Sequence, residues 1–244
     1  MAETINIRGH ADDEISAYLA RPLGPGPYPG VVVIHHMPGW DAATKEITRT
    51  FAVHGYTAIC PNLHHREGPD ASPDDAAAAA RAAGGVPDDR CLGDVAGGAA
   101  YVRSLPYSNG KVGVIGYCSG GRQTYLVACN LPVDAAVDCY GGRVVASEED
   151  LSPRQPVAPI DMTGNLGCPL LGLFGTDDQN PSPEHVARTE EELKKHGKTY
   201  EFHSYDDAGH AFFATDRQSY RVHAALDGWQ KIWAWFDKYL ATPA

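Results

Sequence analysis

Short, nearly continuous apolar runs alternate along the chain with longer stretches in which apolar residues recur every third or fourth position. The runs at 15–20, 31–35, 56–60, 111–116, 134–140, 168–174 and 199–205 predict strands. The middle ones are rich enough in Val, Ile, Leu and Ala to be buried on both faces. The stretches near 43–54, 91–104, 120–130, 183–196 and 218–240 predict helices. In the last, Trp229, Ile232, Trp233, Phe236 and Leu240 fall at spacings of three and four, an apolar face suited to docking on a sheet. This alternation predicts an α/β fold with a mostly parallel central sheet and helices on both faces.

Two segments break the rhythm. Residues 61–90 are rich in Pro, Gly, Asp and Ala, and residues 141–167 mix Pro and Gly with charge. Each follows the C-terminal end of a predicted strand, where open α/β sheets bind ligands, and irregular stretches of this length in a compact domain are usually functional. The alanine run at 76–80 predicts a short helix inside a lid. No linker interrupts the 244 residues, so one domain spanning 1–244 is expected.

The formal net charge of −11 argues against a nucleic-acid or anionic-membrane surface and leaves a small molecule as the expected partner. The N-terminal MAETINIRGH has no apolar core of a secretory signal, and no apolar run is long enough to span a membrane. The six cysteines are scattered singly, without a CxxC pair, and read as reduced thiols, five of them in or near the core. A cytoplasmic location follows as the expectation.

The strand KVGVIG runs directly into Tyr117, Cys118, Ser119, Gly120 and Gly121, after which a helix starts. The G-x-C-x-G pattern centred on Cys118 is that of a nucleophile on a sharp strand-to-helix turn, where only small neighbours fit. A thiol there sits at a helix N-terminus, whose partial positive charge favours the thiolate. Ser119 is off register by one, since Tyr117 stands where the first glycine is needed. Further along, Asp177 and Asp178 follow the run ending at Phe174, and both qualify chemically as an acid that orients a base. His210 lies just after the last strand, beside Gly209 and ahead of Phe212 and Phe213. The order nucleophile, acid, base makes His210 the candidate general base among eleven histidines.

These residues carry a resemblance. GYCSGG, preceded by PYSNGKVG, together with LGLFGTDDQNPSP and AGHAFF, is similar to the dienelactone hydrolase family, in order along most of the chain. The resemblance implies an α/β-hydrolase fold, hydrolysis of a small ester or lactone through an acyl-enzyme on Cys118, and Asp178 as the acid that orients His210. It also implies an oxyanion hole from the backbone N–H groups of Met37 and Ser119. The chain departs from the family pattern at three places. Where a glutamate beside the thiol is expected stands His36, which would relieve the repulsion that disfavours a thiolate, or would line the pocket with its ring turned away. Where a substrate-binding arginine is expected, four residues after the catalytic histidine, stands Ala214. A second such arginine is expected in the loop before the nucleophile, a gapped stretch in which Arg81 is the candidate; Arg122, just after the turn, is another candidate cation, so His36, Arg81 and Arg122 are the expected pocket residues.

The pairs His35–His36 and His64–His65 invite a metal reading. Adjacent strand residues point to opposite faces, however, so each pair offers at most one ligand to a common ion, and neither metal nor cofactor is expected. A thiol sensor or ligand-binding protein on the same scaffold would alkylate stoichiometrically without turnover. A transacylase would show itself by acceptor preference.

Overall fold

The structure, a computed structural model, describes residues 1–241. Among these residues, eight strands form one sheet in the order β1-β2-β4-β3-β5-β6-β7-β8. They are β1 (Ala2–Arg8), β2 (Glu14–Ala20), β3 (Tyr28–Ile34), β4 (Thr57–Pro61), β5 (Ser108–Tyr117), β6 (Ala135–Cys139), β7 (Leu170–Gly175) and β8 (Tyr200–Tyr205). The β1–β2 and β2–β4 pairings are antiparallel, and every pairing from β4 to β8 is parallel. All seven predicted strands are present. The eighth, β1, has no counterpart in the pattern reading because only Ile7 on it is buried, which leaves too little apolar signal.

Among the described residues there are six α-helices: α1 (Ala42–Val53), α2 (Pro73–Ala82), α3 (Asp88–Ser104), α4 (Ser119–Asn130), α5 (Pro183–Lys195) and α6 (Val222–Leu240). The apolar face of α6 packs with Phe51, Ile115, Val137 and Leu171 on one side of the sheet. Cys91, Val95 and Val102 of α3, with Tyr125 and Val127 of α4, fill the other side together with Val32, Val114 and Ala136. The predicted α/β-hydrolase architecture, with a mostly parallel sheet and helices on both faces, is the observed one.

The alanine run lies in α2, whose N-cap Ser72 accepts a hydrogen bond from the Asp75 N–H and whose first position is Pro73. Ala76, Ala77 and Ala80 are its buried residues, a small-residue face, and the helix packs against the 3₁₀ turn at His65–Glu67. The second irregular segment contains two 3₁₀ turns, Glu148–Asp150 and Pro159–Asn165. Among the described residues no helix is long and apolar enough to cross a membrane.

Candidate active site

The turn at Cys118 is built from close approaches. Cys118 sits at φ 58°, ψ −120°, a conformation that L residues rarely adopt and that costs of order 1–3 kcal/mol. A Cβ on Gly116 would lie 2.0 Å from the Gly120 carbonyl oxygen, and a Cβ on Gly120 would lie 2.3 Å from that of Ile34. Both flanks must therefore be glycine for β5, β3 and α4 to meet here. The Cys118 N–H donates to the Cys139 carbonyl at 3.1 Å, and its own carbonyl accepts from Gly121 and Arg122 at 3.0 and 3.3 Å. Cys118 is half-buried while the other five cysteines are buried. Burial raises the Cys118 thiol, but hydrogen bonds from His210 and from the Ser119 and Met37 backbone N–H groups outweigh it and hold the pKa below the ordinary thiol value. By contrast, burial pushes Cys129 and Cys168 up to about 12.

The loop after β8 carries His210. It can fold down because β7 ends in Gly175, where a Cβ would lie 2.2 Å from the Ala208 carbonyl oxygen. The imidazole Nδ1 and the Asp178 Oδ2 are 2.8 Å apart, and Asp178 is 3% exposed. Asp178 Oδ1 accepts the Asn180 N–H at 2.9 Å, so both carboxylate oxygens are held. Asp177 points to solvent. Burial lowers the His210 pKa, but Asp178 and Cys118 together raise it to about 10. With the Nδ1 proton directed at Asp178, Nε2 is left for the thiol. The edge of the Tyr140 ring backs the imidazole at 5.2 Å.

Cys118, Ser119, Met37, Asp178 and His210 open into one cavity of about 630 Å³. Both irregular segments wall it, the first through Arg81 and Gly84–Val86 and the second through Gly142, Arg143 and Gln155. Arg81 is exposed near the end of α2, and its guanidinium has no ion-pair or hydrogen-bond partner among the described residues.

Two expected pocket residues are placed differently. Arg122 lines the cavity but is 4% exposed, and it grips Asp88 through two hydrogen bonds of 2.6 and 3.1 Å. Its charge is neutralised inside the protein, tying α4 to the start of α3, and it is not a free cation. His36 does not line this cavity. Its Nε2 lies 2.6 Å from Asp41 Oδ2, and its ring faces a separate cavity behind the turn. The groups that chiefly depress the thiol are His210, Ser119 and Met37, and the His36 ring is engaged with Asp41 instead. The expectation that His36 favours the thiolate is thereby corrected: the N-cap carboxylate of α1 holds its ring elsewhere.

The paired histidines separate as alternation requires. His35 and His64 pack edge to face at 4.6 Å, both 2% exposed. Burial lowers their pKa values to about 3 and about 4, so both are neutral at pH 7. Among the described residues, no group of three or more His, Cys, Asp or Glu side chains is placed to hold a metal ion. Arg143 escaped the sequence reading. It follows β6 by four positions, at φ 65°, with its N–H on Asn180 Oδ1 at 3.1 Å and its guanidinium on the Asp150 carbonyl oxygen. Its only signal was an arginine just past a strand's C-terminal end.

A strand-to-helix turn bearing Cys118 at the carboxyl edge of a parallel sheet, with a histidine and carboxylate from the next loops, defines the α/β-hydrolase class. The profile of the dienelactone hydrolase family matches residues 15–240. This chain belongs to that family. A Methylorubrum extorquens protein named "putative carboxymethylenebutenolidase" is 34% identical over 230 residues, 93% of this chain and 78% of its own length. An Escherichia coli K12 protein of the same name is 36% identical over 236 residues, covering 93% of this chain and 83% of its own. The crystal structure of a dienelactone hydrolase homologue from Klebsiella pneumoniae superposes with a TM-score of 0.89 at 32% identity, over 98% of this chain and 99% of that one.

Proposed function

We propose that the chain hydrolyses a small ester or lactone, with Cys118 as covalent nucleophile, His210 as its base and Asp178 as the group that orients the imidazole. The observation that carries this reading is the continuous line from the Asp178 carboxylate through His210 to a thiol held below its ordinary pKa at the floor of a cavity. The thiolate attacks the carbonyl carbon, and the oxyanion that forms accepts hydrogen bonds from the Met37 and Ser119 N–H groups. Protonated His210 gives its proton to the departing alkoxide, leaving a thioester on Cys118. His210 then takes a proton from water as the water attacks the thioester, and the acid is released with the thiol restored. In a lactone the departing alkoxide stays attached to the acyl group, so one ring opens to one hydroxy acid.

The family's relatives include one from Bradyrhizobium named "probable 2-oxo-3-(5-oxofuran-2-ylidene)propanoate lactonase", 29% identical to this chain, which supports a ring ester as substrate. Arg81 and Arg143 wall the cavity with no carboxylate partner among the described residues, and favour a substrate whose acid or polar group lies toward that wall. Wild type and Cys118→Ala, assayed against small lactones and p-nitrophenyl esters, test the reading. Turnover is expected to fall on the order of 10³-fold or more in the variant. Equal rates in the two proteins would remove Cys118 from the chemistry.

A further inference from the structure

Behind the turn lies a second cavity of about 220 Å³, with no lining residue in common with the first. Its walls are aromatic and aliphatic: Tyr117, Tyr140, Phe213 and Trp229 on one side, Ala43 and Ile47 of α1 on the other. Ala214 opens it, since any larger residue there would project into the space. No arginine or lysine lines it; Glu46 stands at the wall and Asp41 behind His36, while Arg217 is near enough to act on Tyr140 from outside the lining.

Two polar groups at this wall lack partners. The Tyr117 hydroxyl lies beneath the wall, closed off from the cavity itself and with no hydrogen-bond partner among the described residues, a condition that ordinarily costs about 1–3 kcal/mol. His36 spends Nε2 on Asp41, which also accepts the Thr44 N–H at 2.8 Å, so the ring is fixed by the cap of α1. Its Nδ1 has no hydrogen-bond partner among the described residues. The size fits a single ring with one or two further heavy atoms, given that a cavity of about 150 Å³ accepts benzene. We propose that this cavity binds an uncharged, ring-sized hydroxyaromatic group, its ring among Tyr117, Tyr140, Phe213 and Trp229 and its hydroxyl toward His36 Nδ1. The group is either the departing arm of an aryl ester or a free phenol. Tyr140, which walls this cavity, also backs His210, so the bound ring abuts the catalytic histidine's support.

Ligand-observed ¹⁹F NMR on the intact protein tests this without reference to turnover, using 4-fluorophenol, 4-fluorotoluene and 4-fluorobenzoate. Saturable 4-fluorophenol binding with a Kd of about 1 mM or tighter is expected. 4-Fluorotoluene should bind several-fold more weakly for want of the hydroxyl, and 4-fluorobenzoate should not bind, since no arginine or lysine lines the cavity and Glu46 does. Ala214→Leu fills the cavity from one wall and Ala43→Leu from the other, and whichever of them folds should weaken 4-fluorophenol about tenfold. Non-saturating 4-fluorophenol, equal binding of the benzoate, or full affinity in a folded filled variant would overturn the proposal. Competitive inhibition of an aryl ester by 4-fluorophenol would assign the cavity to the substrate's departing arm. Non-competitive inhibition, or binding without inhibition, would assign it to a free phenol.

Discussion

Asp177 and Asp178 are neighbours of one chemical type after the same strand, and packing alone separates them. Asp178 turns inward, 3% exposed, with one oxygen on His210 and the other on the Asn180 N–H, while Asp177 faces solvent. Asp178→Asn keeps the shape but puts an amide where the imidazole proton needs an acceptor. Steady-state kinetics should show kcat falling on the order of 10³-fold, with Asp177→Asn within about twofold of wild type; the reverse order would move the acid back one residue. The thiol gives a second expectation at this scale. His210 and two backbone N–H groups depress its pKa, so Cys118 alkylation by iodoacetamide should rise with pH through a midpoint below about 8.5. His36→Ala should leave that midpoint in place, because the imidazole is engaged with Asp41 and not with the sulfur. A midpoint that climbs in the variant would restore His36 to the thiol's surroundings.

Among the elements, the turn between β5 and α4 was the most legible, because backbone collisions dictate its residues. Gly116 and Gly120 admit no Cβ, so the chain announces the turn whatever surrounds it. The strand and helix periods were legible for a similar reason, since burial on both faces of the sheet leaves an apolar record. What stayed hidden depends on partners distant in sequence: Asp88 lies 34 residues from the Arg122 that it neutralises. Arg143 owes its place to Asn180 and Asp150, and β1 to pairing along its whole length with β2. Asp138 at the end of β6 is another such case. It is 2% exposed with Oδ1 on the Gly141 N–H at 2.7 Å, and a Cβ on Gly121 would lie 2.3 Å from that oxygen. Burial raises its pKa to about 7, with the Gly141 hydrogen bond opposing. The folded state therefore holds a proton there that the unfolded chain has already lost, and stability falls as pH rises from about 4 to about 7. Urea titrations should show Asp138→Asn matching wild type near pH 4 and exceeding it above pH 7; identical pH slopes would mean that the carboxylate ionises without penalty.

For the whole molecule, the sheet divides the interior into two packed layers, and α6 closes one of them. Phe236 is fully buried, and a Cβ added to Gly113 would come within 2.7 Å of its ring, so strand and helix are in close contact at that point. Phe236→Ala should cost about 3–5 kcal/mol of unfolding free energy by urea denaturation; a loss under 1 kcal/mol would mean that α6 is not integral to the core.

The unequal burial of the thiols has a practical consequence. Of six cysteines, five are shut inside the protein and Cys118 alone reaches the floor of an open cavity. The molecule is thus a natural single-site conjugation scaffold. A maleimide dye or an electrophilic tag added to the unaltered chain would report from one known position, without any cysteine being engineered away.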